Sequence, residues 1–220
     1  MSGLFKALAG EYTVYQVRRK PGLPQGYSMK DMADDYAVMI RNEFKGPVDI
    51  MGNSTGGPIA LSFAADHPDL VRRLVLDSTG CRLREESKAM QKKWAELARE
   101  GRWRSAAALM GGTLSPGRIS RFFLKIIMWS MGKKAFGSPT SPSDGIVEIE
   151  AEDVFDFRGR LKEIKCPALV IGGDKDFFYD LKELADGIPG ARLVLYRGVG
   201  HNAMMKQEFG ADILAFLTAP

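Results

Sequence analysis

The chain has 220 residues, 45% hydrophobic and 26% charged, a formal net charge of +4 and two cysteines. That composition excludes a disordered tail, a collagen and a disulfide-stapled miniprotein. It predicts a globular domain burying roughly 70% of its unfolded surface. Cys81 and Cys166 match no zinc spacing and read as free thiols in a reducing cytosol. No apolar run reaches about 18 residues and the start lacks a signal-peptide core, so the expectation is a cytoplasmic protein with no membrane span.

Residues 2–10 read as a short helix, and the β-branched alternation of Tyr12–Val17 predicts a strand. Pro21, Gly22, Pro24 and Gly26 make 18–27 a loop. Ser28 and Asp31 form a capping box for a helix carrying Met29, Met32, Ala33, Tyr36, Ile40 and Phe44 on one face. Pro47–Met51 is a short apolar strand ending in Gly52, and Gly56–Asp66 a buried helix. Strands follow at 70–76, 167–171 and 193–196. A final helix places Met205, Phe209, Ile213, Phe216 and Leu217 together. Such alternation predicts an α/β fold: a mostly parallel sheet flanked by helices.

Residues 78–160 interrupt this pattern as a helical insertion, leaving 1–77 and 161–220 as the core. One inserted helix carries Met90, Trp94, Leu97 and Ala98. Another carries Ile119, Phe122, Phe123, Ile126 and Ile127, with Arg118, Arg121 and Lys125 outward. Residues 137–145 read as a Pro/Ser-rich connector. Residues 82–134 hold 13 basic and 4 acidic side chains. The basic side reads first as a solvated helix face, and second as a surface for anionic substrates or lipid headgroups. No nucleic-acid-binding motif occurs, so no nucleic-acid partner is expected.

Gly52-Asn53-Ser54-Thr55-Gly56-Gly57 sits between a predicted strand and a predicted helix, the setting of a G-x-S-x-G nucleophile elbow. The serine occupies a strained turn, and Gly52 and Gly56 are expected to avoid collisions there. The helix start and the Thr55 backbone N–H favour a developing oxyanion. A serine needs a base. His67 reads as a helix-terminal surface residue, which leaves His201, on a glycine-rich loop after the fifth predicted strand. Asp176, after the fourth, is the favoured carboxylate to orient it. Asp174 is a weaker choice, and Asp77 a second route.

Gly52–Gly57, Gly172–Asp176 and Gly198–His201, in that order at strand ends, resemble the α/β-hydrolase fold superfamily. The similarity is to its cap-bearing serine hydrolase and esterase branch. The resemblance implies Ser54 as nucleophile, Asp176 as acid and His201 as base, with 78–160 as the cap. It implies hydrolysis of a small to medium, apolar carboxylic ester through an acyl-enzyme, with no metal or organic cofactor. Asn53, Phe177, Phe122 and Trp129 are the candidate pocket residues. Trp94, Trp103 and Phe123 join the last two in dividing between pocket and cap core.

The sequence departs from that family at its front. No segment before residue 10 matches the family's early strands or the His-Gly loop that gives a second oxyanion donor. The expectation is an N-terminally short fold with an exposed sheet edge, prone to pair with another copy, and an impaired enzyme. Two alternatives stand beside the esterase. Asn53 next to Ser54 also resembles carbon–carbon bond hydrolases of the same fold, and the missing loop fits a non-catalytic, ligand-binding or partner-dependent member.

Overall fold

The structure is a computed structural model that describes residues 3–132, 134 and 142–219. Four parallel strands form one sheet in the order β1-β2-β3-β4: β1 (Val48–Asn53), β2 (Val71–Asp77), β3 (Ala168–Gly173) and β4 (Arg192–Tyr196). Helices cover both faces, which is why β3 and the Leu74–Leu76 stretch of β2 are apolar without a break. Successive side chains on a strand point to opposite faces. Leu74, Leu76, Ala168 and Val170 therefore pack with α2 (Met29–Glu43), α3 (Gly56–Asp66) and α8 (Leu181–Gly187). Val75, Leu169 and Ile171 pack with α1 (Gly3–Leu8) and α9 (Phe209–Leu217).

The local signals act where they were expected at α2. The Ser28 hydroxyl accepts from the Asp31 amide at 3.1 Å, and the Ser28 amide donates to Asp31 Oδ2 at 2.9 Å. All residues of α3 from Gly57 to Ala64 are buried, as its apolar circumference requires.

Tyr12–Val17 is not a strand. The segment joins no ladder, and Val14, Tyr15 and Val17 are exposed. A strand needs a hydrogen-bonded neighbour, and a cleft of about 1090 Å³, lined by 12–17 on one side and Val48–Met51 on the other, separates this segment from β1. Among the described residues, β1 pairs only with β2, so its outer edge is open.

Between β2 and β3 the chain leaves the sheet, and among the described residues this stretch carries the α-helices α4 (Glu85–Arg99), α5 (Trp103–Gly111), α6 (Arg118–Met131) and α7 (Pro142–Asp153). Of the connector expected at 137–145, residues 137–141 lie outside the described residues, and 142–145 form the first turn of α7. Trp94, Leu97 and Ala98 are buried with Ala106. The apolar stripe of α6 is not part of any core: Ile119, Phe122, Phe123, Ile126 and Ile127 are all at least half exposed. Asp144 on α7 accepts hydrogen bonds from the amides of Gly22 (3.0 Å) and Leu23 (2.9 Å), tying the inserted helices to the loop after residue 18. Among the described residues, no helix is long and apolar enough to cross a membrane.

Candidate active site

β1 ends in Asn53, and the chain turns at Ser54 into α3. Ser54 adopts φ 51°, a left-handed conformation that costs a non-glycine residue energy. The turn is held from the next strand, because the Ser54 amide donates to the Asp77 carbonyl at 3.0 Å. A Cβ on Gly52 would lie 2.7 Å from Ala60 Cβ and 2.8 Å from the Gly56 carbonyl. The second glycine that the turn needs is Gly57, not Gly56. A Cβ at 57 would lie 2.0 Å from Thr79 Oγ1, whereas one at 56 would meet open space.

His201 follows β4 on a loop bound to the turn after β3. The Gly198 amide donates to Asp174 Oδ1 at 2.7 Å, and the Lys175 amide to the Val199 carbonyl at 2.9 Å. This places His201 Nε2 2.9 Å from Ser54 Oγ and His201 Nδ1 2.8 Å from Asp176 Oδ2. The Asp176 side chain is 1% exposed, and its other oxygen accepts from the amides of Phe178 (2.8 Å) and Tyr179 (3.1 Å). The imidazole packs on Phe178, with ring centroids 4.7 Å apart. Ser54, His201 and Asp176 are thus brought into one chain of hydrogen bonds from three separate strand ends.

Asp77 does not take the orienting position. Its carboxylate accepts from Asn53 Nδ2 at 2.6 Å and Ser78 Oγ at 2.8 Å, and burial raises its pKa to about 6. Asp174 shapes the histidine loop instead of facing the imidazole. His67 sits away from the site, at the end of α3, 2.8 Å from Asp34.

Asn53, Ser54 and Thr55 line the cleft beside β1, together with Ile59, Tyr36 and Phe63. The other three candidate pocket residues do not line that cleft. Phe122 and Trp129 are 60% and 49% exposed on α6, because α6 turns that stripe to solvent. Phe177 packs edge-on against Phe178, and it is Phe178 that packs on the imidazole.

Two carboxylates of α7 reach the site and were not anticipated. Glu152 is fully buried, accepts from Gln91 Nε2 at 2.9 Å and receives the Tyr179 hydroxyl. Burial raises the pKa of both Glu152 and Tyr179. Glu148, one turn earlier, lines the cleft and pairs with Arg19, and burial pushes its pKa up to about 7. The spacing i, i+4 was visible and puts both on one face of a helix, but nothing local shows that this face turns inward. Among the described residues, no group of three or more His, Cys, Asp or Glu side chains is placed to hold a metal.

Residues 1–213 match the sequence model of the Alpha/beta hydrolase family. A pimeloyl-[acyl-carrier protein] methyl ester esterase of Nitrosomonas europaea is 25% identical, over 90% of this chain and 82% of its own. A protein of Rhizobium rhizogenes named "Putative carbamate hydrolase RutD" is 26% identical, over 90% of this chain and 77% of its own. The same name belongs to a Serratia proteamaculans protein that is 42% identical over 59 residues, 27% of this chain and 22% of that one. Among solved structures, the enol-lactonase of Burkholderia xenovorans LB400 superposes with a TM-score of 0.80 at 25% identity, over 99% of this chain and 85% of its own.

Proposed function

The chain belongs to the alpha/beta hydrolase family, and on that premise we propose that it cleaves a small to medium carboxylic ester through a Ser54 acyl-enzyme. The observation that carries this reading is the unbroken Ser54–His201–Asp176 sequence of hydrogen bonds, 2.9 Å and 2.8 Å. In this reading His201 takes the Ser54 proton as Oγ attacks the ester carbonyl, then gives it to the leaving alkoxide. Asp176 fixes the tautomer and stabilises the imidazolium. Water then attacks the acyl-enzyme, with His201 again as base. The Thr55 backbone N–H, at the start of α3, is the oxyanion donor. No metal or organic cofactor enters these steps.

The named activities of the esterase and the enol-lactonase both concern acyl–oxygen bonds, which favours an ester. The apolar lining of the cleft, with Ile59, Tyr36 and Phe63, favours an apolar substrate. Residues 78–160 form the cap in this proposal, and the protein works in the cytoplasm, in keeping with two free thiols. The open edge of β1 favours a second reading, in which full activity depends on a partner or a second copy lying along that edge.

The test is hydrolysis of chromogenic short-chain esters. Ser54→Ala is expected to lower kcat by about 10⁴ or more. Turnover unchanged in Ser54→Ala would overturn the assignment. Hydrolysis that appears only in a dimeric or partner-bound fraction would select the second reading.

A further inference from the structure

We propose that the α5–α6 face docks onto an anionic lipid surface, with the outer side of α6 lying in the interface. At 100° per residue, Leu124 and Met128 share one side of α6. That side meets α5, since a Cβ on Gly111 would touch the Leu124 carbonyl and Met128 Cγ. Ile119, Phe122, Phe123, Ile126 and Ile127 occupy the opposite side and are 50–77% exposed. Trp129 lies at the border of this arc with the guanidinium of Arg104 over its ring. No residue of α6 is buried. A soluble helix that needed only its own core would not turn two phenylalanines and three isoleucines outward together.

Charge identifies the occupant. Residues 101–143 contain seven Lys or Arg and no Asp or Glu. Arg118 and Lys125 border the apolar arc, while Arg121, nearer the α5 side, donates to the Ser115 and Pro116 carbonyls at 3.4 Å. At the far end of α6, Arg102, Arg104 and Lys134 line a cleft of about 670 Å³ together with Ser105, Ser130 and Gly132. Arg102 also pairs with Glu100 at 3.1 Å, so Arg104 and Lys134 carry most of that cleft's positive field. An apolar arc bordered by cations, with Trp and Phe among its apolar residues, is the pattern of a helix lying in a bilayer interface. Lipid phosphates would meet the cationic cleft. A second copy fits less well: pairing this face with itself opposes cation to cation, with no carboxylate between residues 101 and 143 to compensate.

The face adjoins the reaction centre. A Cβ on Gly200 would lie 3.0 Å from Pro116 Cδ and 3.1 Å from the Leu114 carbonyl, so the α5–α6 loop rests on the residue before His201. Docking by α6 would bring lipid close to that loop. The proposal itself does not depend on hydrolysis, and it is tested without an activity assay.

The experiment is vesicle flotation of the full chain. The vesicles are phosphatidylcholine alone or phosphatidylcholine mixed with phosphatidylserine. The expected result is flotation with the mixed vesicles only, reversed by high salt, with a blue shift in tryptophan emission. Phe122→Ser/Ile126→Ser and, separately, Arg104→Glu/Lys125→Glu should each weaken it at least tenfold. All four residues are exposed, and circular dichroism of each variant verifies its fold. Absence of flotation with the mixed vesicles overturns the proposal, as does flotation unchanged in both folded variants. So does a wild-type dimer, lost in Phe122→Ser/Ile126→Ser, that never floats: the face is then a self-association surface.

Discussion

The Asn53 amide donates to the Asp77 carboxylate at 2.6 Å, and these two residues are register partners at the ends of β1 and β2. The bond braces the turn that carries Ser54 and commits Asp77 to a neighbour other than His201. Asp176 therefore stands alone against the imidazole. Asp176→Asn should lower kcat for a chromogenic ester by roughly 10³–10⁴. Asp77→Asn should lower it less than about tenfold while reducing stability, because it puts an amide nitrogen among groups that now donate to a carboxylate. Equal losses of kcat in the two variants would contradict this division.

The packing of α3 against the end of β2 separates two adjacent glycines. Gly57→Ala drives a methyl group into the buried Thr79 and should cost about 3 kcal/mol or more in urea unfolding. Gly56→Ala enters open space with an ordinary helical backbone and should stay within about 1 kcal/mol of the parent. The reverse order would mean that α3 approaches β2 differently.

Glu148 should make stability fall with rising pH. Its pKa is raised on folding, from 4.5 to about 7, so the stabilisation it contributes is full below pH 4.5 and is lost as pH passes through about 7. Glu148→Gln removes that dependence. Between pH 5 and pH 8 the parent should lose roughly 2 kcal/mol more than the variant, measured by urea unfolding at each pH. Parallel pH profiles would show that Arg19 keeps Glu148 ionised throughout.

Tyr179 and Glu152 should behave as a coupled pair. Tyr179→Phe removes one of the two donors to the buried Glu152 carboxyl, leaving Gln91 Nε2, and should cost about 1–3 kcal/mol. Adding Glu152→Leu removes the stranded carboxyl and should recover part of that loss. Strict additivity in a double-mutant cycle of unfolding free energies would rule out the coupling.

The sheet was legible because β3 and the Leu74–Leu76 stretch of β2 are buried on both faces, and an unbroken apolar run is what such burial requires. The Ser–Asp–His order was legible because each residue follows a strand within a few positions, and parallel strands deliver their ends to one rim. What failed depended on distant neighbours. Tyr12–Val17 has strand composition, but the ladder partner that would make it a strand is not beside it. The stripe on α6 has helical period, but period alone does not say whether a partner covers the face. The sequence motif does not distinguish Gly57 from Gly56, because the collision that decides between them comes from Thr79, beyond the next strand. Glu152 and Tyr179 escaped notice because no local pattern brings α7 over the turn after β3.

The most direct measurement of the central claim is the mass of the intact protein after exposure to a fluorophosphonate, followed by peptide mapping. The account predicts a single adduct on the peptide containing Ser54, formed quickly in the parent, slowed in Asp176→Asn and absent in His201→Ala. An unmodified parent, or an adduct that forms at the same rate without His201, would contradict it.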